Sequence, residues 1–215
     1  MLKKLASIAF AMVTGLYGAA ESVYVIIDVS DSNRVIKDHA LAKRSAEHIY
    51  NKITTLEKGS ITQMYYVGMY NTLNSSSEIK ISRKNTAQKV AFSLAKKIIN
   101  ISNQDIAHQG QTNIVTKLYE ISERIDSNYK TTIYILSDMI EYSDGGFNLY
   151  HLKQPYDWSK TNANTPGLLK GVDIIIYGAG LSSSTHSEYI NLKQSWKNLL
   201  LDIYEVNSLK FYKEP

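Results

Sequence analysis

Three separated segments of the chain end in side chains suited to holding a hard cation. In the first, Val23-Tyr24-Val25-Ile26-Ile27-Asp28-Val29-Ser30-Asp31-Ser32, an apolar run closes on Asp28, and the hydroxyls of Ser30 and Ser32 follow at alternate positions. The second carries Thr112, in Gly110-Gln111-Thr112-Asn113, and the third carries Asp138, in Leu136-Ser137-Asp138 after another apolar run. Carboxylate and hydroxyl oxygens are the donors that Mg²⁺ and similar ions take. Each piece also has an ordinary use. Asp-x-Ser-x-Ser suits a helix cap, Thr112 suits another, and Asp138 suits a turn. Only their meeting in space would make a metal site.

The elements that must bring them together are readable from periodicity. Residues 23–28 have the unbroken apolar character of a strand buried on both faces of a parallel sheet. Residues 33–56 read as one long amphipathic helix with Val35, Ala42, Ala46, Ile49, Ile53 and Leu56 on its inner face, stopped by Gly59. Strands are expected over residues 61–70 and 78–82, with a polar hairpin loop over 71–77 between them. A helix follows over residues 86–101, and a third opens at Thr112 or Asn113 with Ile114, Leu118, Ile121 and Ile125 as its stripe. Residues 131–136 and 172–177 read as strands, the latter turning tightly at Gly178-Ala179-Gly180. A last helix over 187–204 shows Leu192, Trp196, Leu199 and Ile203 on one side, and 209–212 is a closing edge strand.

This alternation predicts an α/β fold: a doubly wound, mostly parallel central sheet flanked by helices, with one short antiparallel edge strand. In such a sheet Asp28 and Asp138 share the carboxyl rim, where open α/β sheets bind their ligands. Thr112 reaches the same rim from a helix start. Residues 139–171 lack periodicity, and so long a loop in a compact domain is more often functional than accidental. It starts on the rim and carries Tyr142, Phe147, Tyr156 and Trp158. These are expected as aromatic anchors for a partner, the alternative being that they pack on the domain itself. Asp31, Glu141 and Asp144 are expected to be solvated acids near the rim. The five histidines show no ligand spacing.

Asp28-x-Ser30-x-Ser32 with a distant Thr112 and a distant Asp138 resembles the von Willebrand factor type A family, the integrin inserted-domain fold, and its metal-ion-dependent adhesion site. The order of elements agrees from Val23 to about Tyr212. The sequence departs from the family pattern at Gln111, where a second glycine is common, and at Met139, where glycine commonly follows the last aspartate. Neither departure removes a ligand atom. The resemblance implies a Rossmann-like fold. It also implies that Mg²⁺, or Mn²⁺ or Ca²⁺, is held directly by Ser30 and Ser32 and, in the ligand-ready state, by Thr112. Asp28 and Asp138 would act directly or through water. An ion so held keeps excess positive charge and an open position, which an Asp or Glu of a partner protein can fill.

The first twenty residues differ in kind. Lys3 and Lys4 precede an apolar stretch over residues 5–16, and Gly18-Ala19-Ala20 offers small residues for cleavage. This is the layout of a secretory signal peptide, leaving residues 21–215 as a single domain. Such a protein would be exported, to the periplasm or the cell surface, touching a membrane only through an uncleaved signal. Removing those residues lowers the formal charge from +4 to +2, which gives no argument for nucleic acid. The chain has no cysteine, so disulfides, thiolate metal sites and cysteine nucleophiles are excluded. Two other functions fit the same residues: a metal-dependent phosphohydrolase with Asp28 as nucleophile, and a scaffold subunit that never loads metal. The first lacks the expected aspartate two residues after Asp28, where Ser30 stands.

Overall fold

The computed structural model describes residues 19–68, 77–103, 112–142 and 147–213. Residues 1–18 of the expected signal peptide, most of the expected hairpin loop, Gly110, Gln111, His108 and Asp144 lie outside the described residues. Six strands form one sheet in the order β3-β2-β1-β4-β5-β6. They are β1 (Glu21–Asp28), β2 (Ile61–Val67), β3 (Ile79–Lys80), β4 (Lys130–Leu136), β5 (Asp173–Tyr177) and β6 (Ser208–Tyr212). All neighbours pair in parallel except β2 and β3, so the antiparallel strand is an edge strand as expected.

β1 lies in the middle because it is apolar on both faces. Its odd residues Val23, Val25 and Ile27, with Val29 just beyond, are buried under α1 (Arg34–Lys37), α2 (His39–Thr54) and α3 (Lys84–Ser102). Its even residues Tyr24 and Ile26 are buried on the other face, under α4 (Ile114–Ser122), the β4–β5 connection and α5 (His186–Lys197). Burying each such aliphatic side chain stabilises the fold by roughly 1.5–3 kcal/mol. A strand that does so on both sides has no solvent-facing alternative.

Two elements depart from the expected pattern. The helix expected over residues 33–56 is broken at Asp38, which adopts an extended conformation (φ −84, ψ 111) and whose carboxylate caps Ala40 N and Leu41 N at the start of α2. The last helix widens into a π-helical stretch over Asn198–Ile203 before Tyr204 ends it. The strand order also has a consequence for function. The chain runs outward from β1 to β2 on one side and from β4 to β5 and β6 on the other, so the order reverses between β1 and β4. That is the switch point at which an open α/β sheet leaves a crevice at its carboxyl ends. Ile27 pairs with Leu136 there, which puts Asp28 beside Ser137 and next to Asp138.

Candidate metal centre

The loop that leaves β1 is held by its own donors and by one asparagine. Ser30 N donates to Asp28 Oδ1 at 2.9 Å, and the hydroxyls of Ser30 and Ser32 lie 3.2 Å apart. Asn33, fully buried, donates from Nδ2 to the carbonyls of Asp28 (2.5 Å) and Leu136 (3.1 Å), while its Oδ1 accepts from Val35 N. It therefore laces the ends of β1 and β4 together and caps α1. The capping task belongs to Asn33, and the Asp28, Ser30 and Ser32 side chains are left to other work. Gly68, at the end of β2, allows this loop to lie close: at φ +82, an added Cβ would sit 2.7 Å from Ser30 N.

Across the switch point, Ser137 Oγ donates to Asp28 Oδ2 at 2.7 Å and accepts from Met139 N at 2.8 Å. Asp138 Oδ1 accepts from Ile140 N at 3.0 Å, which is the turn-forming use of an aspartate, but among the described residues Oδ2 is buried without a hydrogen-bond partner. Met139 takes φ 64 with its side chain fully buried, and its carbonyl accepts from Trp196 Nε1 at 2.8 Å. A left-handed non-glycine residue costs about 1–3 kcal/mol, offset here by packing. The position thus has the backbone of a glycine without the glycine. Beneath it, Gly178 at φ +97 leaves room for Val35, whose Cγ2 would lie 1.9 Å from an added Cβ.

Thr112, almost fully buried, is tied by its backbone to the start of the β4–β5 connection, donating from N to Tyr142 O at 2.9 Å. Asn113 stands at the cap position of α4 but makes no capping bond. Glu141 does so instead: its carboxylate oxygens accept from Val115 N at 3.2 and 3.3 Å. Glu141 is fully buried and is no solvated acid, a correction to its expected place. Of the others, Asp31 is exposed and pairs with Lys37 at 2.8 Å.

Burial, and then the negative charge of Asp138, push the Asp28 carboxyl up to about 7, against hydrogen bonds from Ser137 and Ser30 that pull it down. Burial raises Asp138 too, with Ile140 N and the nearby Ser182 and Ser32 hydroxyls favouring its charged form. Burial lifts Glu141 well above the usual carboxylate range, a shift the Val115 N–H opposes and the charge of Asp28 reinforces. No basic side chain figures among these influences. Two close buried carboxylates with no basic side chain among the described influences on them are short of positive charge, and the Oδ2 of Asp138 is short of a partner among the described residues. A divalent cation answers both needs, so the residues present fit one. Among the described residues no cluster of three or more His, Asp or Glu side chains forms a ligand set, so such an ion would depend on the hydroxyls.

No protein-family model and no curated protein matches the chain. Among solved structures, it aligns with the pilus adhesin SpaC from Lactobacillus rhamnosus GG, in its open conformation, at 13% identity and a TM-score of 0.49. That alignment covers 91% of this chain and 28% of the adhesin. The human COPII-coat protein Sec24c aligns at 12% identity and a TM-score of 0.48, over 93% of this chain and 30% of Sec24c. The chain spans less than a third of the length of either neighbour. Likeness at this level carries no conclusion about what the chain does.

The expected aromatic rim is mostly core. Phe147 and Trp158 are buried, with ring centroids 5.5 Å apart, and Trp158 Nε1 donates to Ser195 O at 2.7 Å. Tyr156 is half-buried edge-on against Trp158. Of the four, only Tyr142 is exposed, in edge contact with the equally exposed Tyr150. The described parts of this connection, residues 139–142 and 147–171, begin on the rim and then cover one face of the sheet where a crossover helix would otherwise lie. Three residues of the site carry no expectation from the sequence: Asn33, Ser137 and Ser182. Asn33 alone had a signal, being a capping residue immediately before a helix.

Proposed function

We propose that this chain is a metal-dependent protein-binding module of the von Willebrand factor type A kind. Its rim would hold Mg²⁺, or Mn²⁺ or Ca²⁺, and offer the ion to an Asp or Glu of a partner protein. The observation that carries this reading is the meeting of Asp28, Ser30, Ser32 and Asp138 at the β1–β4 switch point, with Asp138 Oδ2 buried and unpartnered. The cation would supply the positive charge that draws in the partner's carboxylate. The chain's own residues do the rest. Ser30 and Ser32, with Thr112 from the start of α4, would present neutral oxygens, Asp138 would offer its unpartnered carboxylate oxygen, and Asp28 is held in place from both sides by Ser30 N and Ser137 Oγ.

That grip on Asp28 favours binding over hydrolysis. A nucleophilic carboxylate must be reachable by its substrate, whereas Asp28 is fully buried, with Oδ1 accepting from Ser30 N and Oδ2 from Ser137 Oγ. Export to the periplasm or cell surface belongs to the same proposal and rests on the sequence of residues 1–20. Among the described residues no helix is long and apolar enough to cross a membrane. Calorimetric titration of the purified protein with Mg²⁺ or Mn²⁺ tests the site. Asp28→Ala and Asp138→Ala should each abolish measurable binding, and binding by either at the parent's affinity would reject the assignment.

A further inference from the structure

Ser182 lies in the loop between β5 and α5, and it reaches two separate parts of the candidate metal centre. Its Oγ donates to the carbonyl of Ser32 at 2.5 Å, 150 residues away in sequence. The same hydroxyl lies beside the Asp138 carboxylate. A hydroxyl has one proton to give. Spent on the Ser32 carbonyl, it leaves Asp138 Oδ2 buried and without a donor, as observed. The turn that carries Ser182 is itself fixed to Asp138, because Gly180 N donates to the Asp138 carbonyl at 2.9 Å.

We infer that Ser182 is a positioning residue of the cation site, pinning the Ser32 backbone to the β5–α5 loop and keeping Asp138 Oδ2 open for the ion or an ion-bound water. The inference rests on the metal-binding reading above and extends it to a fourth chain segment. Three segments supply donors: the loop after β1, the start of α4 and the end of β4. The fourth sets the distance between two of them. Without it, Ser32 loses its hydrogen bond to the β5–α5 loop, and the spacing of its hydroxyl from Asp138 is less firmly fixed before the ion arrives. Residues that orient ligands in this way are typically worth about 10- to 100-fold in metal affinity.

The test is titration of the purified protein with Mn²⁺ and with Mg²⁺, for the parent, Ser182→Ala, Ser182→Thr and the neighbouring Ser183→Ala. Thermal unfolding of each in EDTA accompanies it. Ser182→Ala should weaken binding about tenfold, with Ser182→Thr restoring most of the loss and Ser183→Ala binding like the parent. If Ser182→Ala lowers the melting temperature in EDTA and leaves cation affinity unchanged, the contact is merely structural and the inference is overturned. If the parent binds and Ser182→Thr fails to rescue Ser182→Ala, the hydroxyl is not the acting group and the inference is likewise overturned. Failure of the parent to bind either cation rejects the metal-binding reading itself, and this inference with it.

Discussion

At the scale of single residues, the site is built from groups that are costly in isolation. Glu141 is the clearest case, a fully buried carboxylate whose partners are the N–H groups at the start of α4. The ionisable groups facing it are Asp28, whose charge raises it, and Tyr204 across the core. With its folded pKa raised, Glu141 keeps a proton that the unfolded chain gives up near 4.5. Its contribution to stability is therefore greatest below that value and is lost as the pH rises through the folded one. Glu141→Gln preserves an acceptor for Val115 N and removes this dependence. In EDTA, the melting temperature of Glu141→Gln should gain on the parent's steadily as the pH is raised from about 4.5 towards neutrality. A constant difference across that range would mean that Glu141 is ionised in the fold.

At the scale of elements, the β4–β5 connection is held by two tryptophans used in the same way. Trp158 Nε1 donates to Ser195 O and Trp196 Nε1 to Met139 O, so the loop and α5 are each fastened to the other's backbone. Trp158→Ala would leave a large cavity, and should cost about 3–5 kcal/mol in chemical denaturation. Tyr142→Ala, at an exposed position, should stay within about 0.5 kcal/mol of the parent, so any effect it has on partner capture reports contact. The contrast shows which parts of the chain are legible in sequence. The strands and α2 to α5 declare themselves because each repeats a spacing, and Asp28 and Asp138 are legible because they stand at fixed offsets from strand ends. Phe147 and Trp158 read as rim aromatics because a connection without periodicity gives no sign of which face it covers. Ser137 and Ser182 act through contacts 109 and 150 residues distant, and no local pattern records such contacts.

At the scale of the whole molecule, the candidate donors come from segments that only the folded sheet brings together. In the unfolded chain Ser32, Thr112 and Asp138 are independent, and none binds a divalent ion with useful strength. A cation that binds only the native state stabilises all of it, by about 2.7 kcal/mol at 100 times its dissociation constant. For a domain of this size, that amounts to a rise in melting temperature of about 5–10 °C. The rise should grow with the logarithm of Mg²⁺ concentration, vanish in EDTA, and be absent in Asp138→Ala. The same variant carries a second sign of the charge imbalance. Removing one of two adjacent buried carboxylates relieves their repulsion, so in EDTA Asp138→Ala should melt no lower than the cavity it leaves would require. Scanning calorimetry of both proteins across a Mg²⁺ series separates the alternatives. An unchanged melting temperature for the parent at every concentration would favour a scaffold that keeps the fold and loads no ion.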